Sequence, residues 1–329
     1  MFIPEKILTD LRKMIPPLLD HFHKGQAGRI GIIGGSEKFY RNFLRNSLIF
    51  GSYTGAPFFS CMSSMLFGAD LGYIICEPGA GKVIKTYSPD LIVCPMMRLS
   101  TCNLKDVSSK IVSNISQLLD RLHVIVVGPG LGRDPLMLET ASGVIVEARK
   151  RKIPIVIDAD GFYCIQDNPE IIMGYRNCVL TPNVAEFSRL CHRFHLDENS
   201  SCQNLANNLG GVTILKKGRI DDISNGSKIF NVNIRGSLRR CGGQGDVLAG
   251  ILSTFLAWRK AYLENLWDHD KSLNEDELLM LASYGAAFAT RYCSYLAFKR
   301  KKRTMRASDL MDVIGDAYEL LSEGDISNI

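Results

Sequence analysis

Short apolar runs alternate with longer segments of helical periodicity along most of this chain. Continuous runs rich in Val and Ile are typical of parallel strands buried on both faces, and the intervening segments predict helices. The predicted strands are 28–35, 73–76, 91–94, 124–127, 155–157, 178–180 and 212–217. The predicted helices are 7–19, 53–72, 104–122, 135–150 and those that dominate from 246 onward. This alternation predicts an α/β fold, with a mostly parallel central sheet covered by helices on both faces.

A glycine-rich segment precedes the first of those C-terminal helices. It reads Arg239-Arg240-Cys241-Gly242-Gly243-Gln244-Gly245-Asp246 and leads into an apolar helix. Glycines allow tight turns, and a helix start offers unpaired N–H groups to an anion. A carboxylate at such a site suits the removal of a proton from a hydroxyl, which makes Asp246 a candidate base. The alternative is an ordinary helix start at which Asp246 stabilises the helix dipole.

Polar residues also follow three predicted strands, at the edge where such sheets bind ligands. The turn Gly128-Pro129-Gly130-Leu131-Gly132 allows a close approach of backbone to ligand, although a plain turn remains the alternative. Asn183 and Glu186 could reach a ligand or simply form a capping box. The segment Lys217-Gly218-Arg219-Ile220-Asp221 could hold the phosphate and ribose of a nucleotide, or present an ordinary surface lysine.

Composition limits the class of protein. The 329 residues are 46% hydrophobic and 22% charged, which describes a globular protein with a large core. The net charge of +5 fits anionic ligands and is too small to argue for nucleic acid. No apolar run reaches the roughly 18 residues of a membrane span. Ten scattered cysteines without a Cys-x-x-Cys pair, and an N-terminus unlike a signal peptide, indicate reduced thiols in the cytoplasm.

Several other classes of site are disfavoured. The chain has no Gly-x-Ser-x-Gly or Walker-type phosphate-loop motif, and the turn at Gly128 does not match a dinucleotide fingerprint. The basic run 299–303 could be a nuclear-import or nucleic-acid patch, but the absence of interleaved aromatic residues favours a solvated helix end. We therefore expect small-molecule ligands, no nucleic-acid or membrane partner, and no dedicated metal cage. The sequence leaves the oligomeric state open, including a homo-oligomer.

The joint order of the motifs resembles one family, the ATP- or ADP-dependent NAD(P)H-hydrate dehydratases of the ribokinase-like superfamily. The matching segments are Gly34-Gly35-Ser36, residues 53–57, 127–133, 157–160, 180–183 with Glu186-Phe187, Lys217-Gly218, and 239–246. The segment Gly-Gly-Gln-Gly-Asp is more specific than the Gly-Ala-Gly-Asp of related sugar kinases. The preceding Arg-Arg-Cys is similar to the eukaryotic, ATP-dependent type.

The resemblance implies a single ribokinase-like domain over residues 1–329 and a metabolite-repair reaction. In that reaction, the S epimer of hydrated NADH or NADPH is phosphorylated on its 6-hydroxyl by ATP. Elimination of phosphate then restores the dinucleotide. A small-molecule alcohol kinase of the same superfamily and a catalytically silent nucleotide-binding protein remain alternatives. The preference for ATP over ADP, and an alternative start that adds a mitochondrial presequence, stay open.

The resemblance also implies roles for matching positions. Asp246 would be the catalytic base, and Mg²⁺ would be bound together with ATP. The residues implied on the ATP side are Lys217, Gly218, Arg219, Ile220, Asp221, Gly236, Ser237, Leu238, Arg239, Arg240, Cys241, Gly242, Gly243, Gln244 and Gly245. The residues implied on the hydrated-dinucleotide side are Gly130, Asn183, Val184, Ala185, Glu186, Phe187, Ser188, Arg189 and Asp246.

One segment departs from the family pattern. About a dozen extra residues, roughly 39–52, separate Gly34-Gly35-Ser36 from Tyr53, whereas the family joins these two motifs almost directly. The segment could form a lid or an interface loop, or it could be an intron retained in frame in the gene model. Sequencing the transcript distinguishes these origins. The Asp246 side of the predicted site does not depend on the answer.

Overall fold

The computed structural model describes residues 4–42, 47–102 and 107–324, and it describes only the backbone of 38–42 and 47–51. Its main sheet has nine strands, and a separate antiparallel hairpin has two. The strands in chain order are β1 (Arg29–Ile33), β2 (Ser36–Asn42), β3 (Ser47–Tyr53), β4 (Leu71–Ile75), β5 (Ile92–Cys94), β6 (Val124–Val127), β7 (Ile155–Ile157), β8 (Cys178–Leu180), β9 (Thr213–Lys216), β10 (Asp221–Ser224) and β11 (Ile229–Val232).

The helices lie between and after these strands. They are α1 (Glu5–Met14), α2 (Gly55–Leu66), α3 (Pro78–Ile84), α4 (Val107–Leu119), α5 (Pro135–Lys150), α6 (Phe162–Gln166), α7 (Val184–Arg193), α8 (Cys202–Asn208), α9 (Gln244–Leu263), α10 (Glu275–Lys301), α11 (Ala307–Met311) and α12 (Ile314–Ser322). Short 3₁₀ turns occupy Ala159–Gly161, Pro169–Ile171 and Lys302–Thr304.

The strand order of the main sheet is β11-β10-β9-β8-β7-β6-β1-β4-β5. Pairings from β9 through to β5 are parallel, whereas β10 and β11 pair antiparallel at one edge. Chain order reverses at β1, because β4 and β5 extend the sheet on one side and β6 starts the other. The carboxyl ends of β1 and β6 therefore flank a topological switch point, where α/β sheets commonly bind ligands.

Both faces of the sheet are buried, as the apolar runs predict. In β6, Val124 and Val126 pack into the core beneath α2, α9 and α10, while Ile125 and Val127 pack into the opposite core beneath α4 and α5. This alternation follows from the period of two along a strand. The mostly parallel α/β fold with helices on both faces is confirmed.

The structure corrects several predicted elements. The N-terminal helix ends at Met14 rather than near Leu19, because Pro16 and Pro17 hold Ile15 in an extended conformation. The predicted helix 104–122 is described only from Val107, since 103–106 lie outside the described residues. The start of α7 at Asn183 was predicted as a helix start after the strand 178–180, and the structure has it there. The pattern did not predict α3, α8 or the antiparallel strands, which are short or polar.

The extra segment near 39–52 coincides with the hairpin of β2 and β3. The two strands pair from Ser36 with Tyr53 to Asn42 with Ser47. Residues 43–46 lie outside the described residues. The hairpin thus brings Tyr53 back beside Ser36, and α2 begins two residues later at Gly55.

Candidate active site

A cavity of about 1100 Å³ opens beyond the carboxyl ends of β7, β8 and β9. Its walls come from these strand ends, from the start of α9, from one face of α10 and from the loop 233–243. Ligand cavities in proteins commonly range from about 300 to 1000 Å³, so the space suits a ligand as large as a nucleotide.

The start of α9 forms one wall of the cavity. Gly243 precedes the helix with φ +93°, and the Val247 N–H donates the first helical bond to the Gly243 carbonyl. The N–H groups of Gln244, Gly245 and Asp246 precede that first helical bond and are free to meet an anion. A Cβ on Gly243 would lie 2.5 Å from the Ala307 Cβ, so the left-handed turn requires glycine there. The glycine turn (residues 242–245) therefore has the geometry expected of a phosphate cradle.

Asp246 lies in the first turn of α9 and lines the cavity. Burial and the nearby charge of Asp158 raise the pKa of Asp246 to about 7, against an opposing effect of Lys217. Its backbone carbonyl accepts a hydrogen bond from Ser60 Oγ of α2 at 2.9 Å, which fixes the start of α9 against its neighbour. A carboxylate that titrates near neutral pH is suited to general-base catalysis.

Lys217 reaches the cavity from the end of β9. Its Nζ lies 2.7 Å from Asp158 Oδ1, at the end of β7. Asp158 is 2% exposed and also accepts a hydrogen bond from Thr181 Oγ1 at 2.9 Å. Burial lowers the pKa of Lys217, but the charges of Asp158 and Glu186 outweigh it and raise that pKa overall. Lys217 therefore carries a positive charge beside Asp246.

Asn183 and Glu186 form the start of α7 and also line the cavity. The Glu186 N–H donates to Asn183 Oδ1 at 3.0 Å, and the Asn183 N–H donates to Glu186 Oε2 at 2.8 Å. The capping-box interpretation is thus confirmed, and it coexists with a place in the cavity wall. Burial raises the pKa of Glu186, against the opposing charge of Lys217.

Asp221 is held by Arg291, a residue of α10 that sequence reasoning missed. Arg291 Nε lies 2.6 Å from Asp221 Oδ2, and its second terminal nitrogen lies 2.7 Å from Oδ1. The same guanidinium donates to the carbonyls of Gly218, Arg219 and Ile234 at 2.9 to 3.2 Å. The Asp221 carboxylate therefore holds the turn after β9 through these bonds, and it is not free to bind a ribose. No local motif marks Arg291, because it lies 70 residues from Asp221.

Most of the predicted site residues line this cavity. Those that do are Asp246, Lys217, Gly218, Arg219, Asp221, Gly236, Ser237, Leu238, Arg240, Cys241, Gly242, Gly243, Gln244, Gly245, Asn183, Val184, Ala185 and Glu186. Wall residues that were not predicted are Asp158, Ala159, Asn233, Ile234, Arg235, Leu248, Ala287, Thr290, Arg291 and Ser294. Asp158 was the detectable member of this set, since it follows an apolar strand within a family-like segment.

Six predicted residues lie outside the cavity wall. Phe187 is 1% exposed and packs into the core, with Lys216 Nζ 4.3 Å from its ring centre. Arg239 acts through its carbonyl, which accepts bonds from Ser237 Oγ and Gln244 Nε2 and so holds the loop. Gly130 lies at the switch point, where its carbonyl accepts from the Gly35 N–H at 3.0 Å. The others are Ile220, Ser188 and Arg189.

The glycine turn after β6 nevertheless contacts the cavity wall. Gly128 has φ +125°, and a Cβ there would lie 1.8 Å from the Asp158 carbonyl oxygen. The Gly132 N–H donates to Asp160 Oδ2 at 3.1 Å. The switch point and the cavity are thus joined through the loop that carries Asp158.

Comparison with known proteins decides the family. The sequence model described as NAD(P)H-hydrate dehydratase matches residues 47–315, most of the chain. This chain belongs to the NAD(P)H-hydrate dehydratase family. The ATP-dependent (S)-NAD(P)H-hydrate dehydratase of Schizosaccharomyces pombe is 47% identical over 326 residues, covering 98% of this chain and 95% of that protein. Its counterpart in Phaeosphaeria nodorum is 48% identical over 322 residues, covering 95% and 94%.

Solved structures confirm the ribokinase-like fold of this dehydratase family member. A ribokinase-like superfamily protein from Enterococcus faecalis aligns with a TM-score of 0.69 at 19% identity, over 95% of each chain. An ADP/ATP-dependent NAD(P)H-hydrate dehydratase from Bacillus subtilis, co-crystallised with ATP and Mg²⁺, aligns with a TM-score of 0.63 at 17% identity. That alignment covers 98% of this chain and 99% of the other.

Two absences hold for the residues that the structure describes. Among them, no helix is both long and apolar enough to cross a membrane. Nor do three or more His, Cys, Asp or Glu side chains converge there in a way that could hold a metal ion.

Proposed function

We propose that this chain uses ATP to dehydrate the S epimer of hydrated NADH and NADPH, giving the reduced dinucleotide, ADP and phosphate, in the cavity described above. Membership of the dehydratase family supports the reaction. The observation that carries the site is the position of Asp246 directly after the glycine turn. Its pKa of about 7 suits it to act as a base there.

The residues of the cavity would divide the work. Asp246 takes the proton of the substrate 6-hydroxyl, which makes that oxygen a better nucleophile toward the terminal phosphoryl group of ATP. The N–H groups at the start of α9 and the Lys217 ammonium stabilise negative charge on the transferring group. Phosphate is then a far better leaving group than hydroxide, and its loss restores the nicotinamide ring.

The cavity fits a nucleotide. Its volume is ample, the first residues of α9 line it, and glycine at 245 leaves Lys217 room at the turn. A Cβ at Gly245 would lie 3.2 Å from Lys217 Nζ. We therefore infer that ATP binds along the glycine turn and the loop 233–243, with the hydrated dinucleotide on the side of α7.

We infer that Mg²⁺ is bound with ATP rather than in a protein cage. The described residues hold no group of three or more His, Cys, Asp or Glu side chains that could bind a metal. Magnesium commonly keeps several waters and is held through substrate phosphates, so the triphosphate itself would supply its main ligands.

Product identity tests the reaction. The purified protein is incubated with hydrated NADH and Mg²⁺, with and without ATP, and the absorbance of reduced nicotinamide is followed together with free phosphate. We expect both to rise in equal amounts, and only with ATP. A stable phosphoester without recovered NADH would instead identify an alcohol kinase, and an inert mixture would contradict both activities.

A further inference from the structure

Asp158 is a buried carboxylate directly beneath the glycine turn, and the proposed chemistry gives it no task. Its Oδ1 accepts hydrogen bonds from Lys217 Nζ at 2.7 Å and from Thr181 Oγ1 at 2.9 Å. The three residues lie at or just beyond the ends of the neighbouring strands β7, β8 and β9. A carboxylate that is 2% exposed is costly unless it is paired, and Lys217 supplies the charge that it needs.

The pair lies against the residue that precedes Asp246. A Cβ placed on Gly245 would be 3.2 Å from Lys217 Nζ and 3.9 Å from Asp158 Oδ2. Lys217 is thus shared between two acidic neighbours, Asp158 below it and Asp246 beside it. Its hydrogen bond in the structure goes to Asp158.

Several elements contribute charged groups to the cavity wall that Asp246 shares. At the end of β7 this is Asp158 and at the end of β9 it is Lys217, both of which act on Asp246 electrostatically. At the start of α7, Glu186 lines the same cavity. From helix α2, the Ser60 hydroxyl donates to the backbone carbonyl of Asp246 at 2.9 Å. The loop 233–243 adds side chains to the same cavity, among them Arg235, Arg240 and Cys241. Asp221 and Arg291 also line the cavity and form an ion pair with each other.

Among these groups, two have opposite effects on Asp246. The charge of Asp158 adds to burial in raising the pKa of Asp246, and Lys217 lowers it. A free ammonium beside Asp246 would form an ion pair with it and weaken it as a base, since a carboxylate held by a cation accepts a proton less readily.

We propose that Asp158 is a positioning residue of the reaction. It keeps the Lys217 ammonium in a hydrogen bond of its own next to Gly245, so that Asp246 stays free to take the substrate proton. This inference rests on the proposed dehydration, because the proton in question is that of the substrate hydroxyl.

The arrangement predicts opposite effects for two substitutions. Asp158→Asn removes the partner charge while keeping the size of the side chain, so Lys217 turns to Asp246. The midpoint of the acidic limb of kcat/KM then falls by about one pH unit, and the plateau rate falls at least about tenfold. Lys217→Met removes the cation that favours ionised Asp246, so the midpoint rises by a similar amount.

The experiment measures kcat/KM from about pH 5 to pH 9 with hydrated NADH and ATP. Lys217→Arg keeps the charge and should keep the parental midpoint. Asp120→Asn is the matched control, because Asp120 pairs with Arg151 at 2.9 Å on the surface of the opposite layer. It should leave the pH profile unchanged.

Each outcome decides a separate question. An inactive parent protein refutes the proposed function itself. An active parent, with both cavity variants slower but unchanged in midpoint, assigns the pair a merely structural role and overturns the inference. Midpoints that move in the same direction also overturn it. If circular dichroism shows that Asp158→Asn does not fold, the rise for Lys217→Met against the parental value for Lys217→Arg decides the question.

Discussion

At the scale of single residues, Asp246, the proposed base, lines the cavity at an energetic cost. Its pKa is raised from an ordinary 3.8 to about 7 in the folded protein. The folded state therefore binds the proton more tightly than the unfolded state, and the free energy of unfolding falls as the pH rises from about 4 to 7. Above about pH 7 Asp246 is ionised in both states, and its contribution to lowering the free energy of unfolding is then complete.

This cost predicts that Asp246→Asn stabilises the protein. An amide of the same shape carries no charge beside Asp158, so the melting temperature at pH 8 should rise by at least about 2 °C, corresponding to about 1 kcal/mol. Most of the gain should be lost near pH 4, where the parent carboxyl group is protonated in the folded state and about half protonated in the unfolded state. Thermal denaturation at both pH values measures it. An equal gain at pH 4 and pH 8 would show that the cause is packing rather than charge.

The same scale shows why the sequence predicted only part of the site. Glycines followed by an acid at a helix start have a local meaning, so Gly243, Gly245 and Asp246 could be predicted. Arg291 could not, since its partner Asp221 lies 70 residues away and only the fold brings them together. Phe187 was placed on the substrate side by the family motif alone, and the helix turns its ring into the core.

At the scale of elements, the start of α9 depends on one glycine more than on its neighbour. Gly243 has φ +93° and faces the Ala307 Cβ, whereas a Cβ on Gly242 would have nothing within 4 Å. The left-handed conformation costs an L-residue roughly 1 to 2 kcal/mol, and the contact with α11 adds to this.

We therefore expect Gly243→Ala to lower the free energy of unfolding by about 2 kcal/mol or more. Gly242→Ala serves as the matched control and should change it by less than about 0.5 kcal/mol. Urea denaturation followed by circular dichroism gives both values. Equal losses in the two variants would mean that the turn does not set the geometry of α9.

Element prediction succeeded where the chain buries a regular pattern and failed where tertiary contacts decide. The runs in β1, β6 and β7 are apolar on both faces and could hardly form anything else. Helix α3 begins with Pro78-Gly79 and is fixed by Glu77, whose carboxylate accepts from the N–H groups of Gly79 and Ala80. Strands β10 and β11 carry polar residues at an open edge, so their sequence resembles a loop.

At the scale of the whole molecule, the order of elements carried more information than their composition. Alternating strands and helices predicted a parallel sheet covered on both faces, but the position of the reversal at β1 required the strand pairings. That reversal sets Gly130 at the switch point, apart from the cavity that holds Asp246. The two are connected by the loop after β7.

The thiols offer a test of the whole fold. All ten cysteines are free, and seven of them are buried, leaving only Cys94, Cys102 and Cys241 partly exposed. Burial raises the pKa of the Cys94 thiol, which slows its reaction further. We expect native alkylation followed by mass spectrometry to modify at most these three cysteines, and ATP to protect Cys241 in the cavity wall. Labelling of Cys61 or Cys178 would contradict the packing, and a native disulfide would contradict the expectation that the thiols are reduced.

The most direct measurement compares the parent protein with Asp246→Asn in the conversion of hydrated NADH by ATP. The parent should restore NADH with release of phosphate, and its kcat/KM should rise with pH through about 7 as Asp246 ionises. Asp246→Asn should bind ATP and lose at least about a thousandfold in turnover, as expected when a general base is removed. Turnover above about a tenth of the parental rate would contradict the assignment of Asp246 as the base.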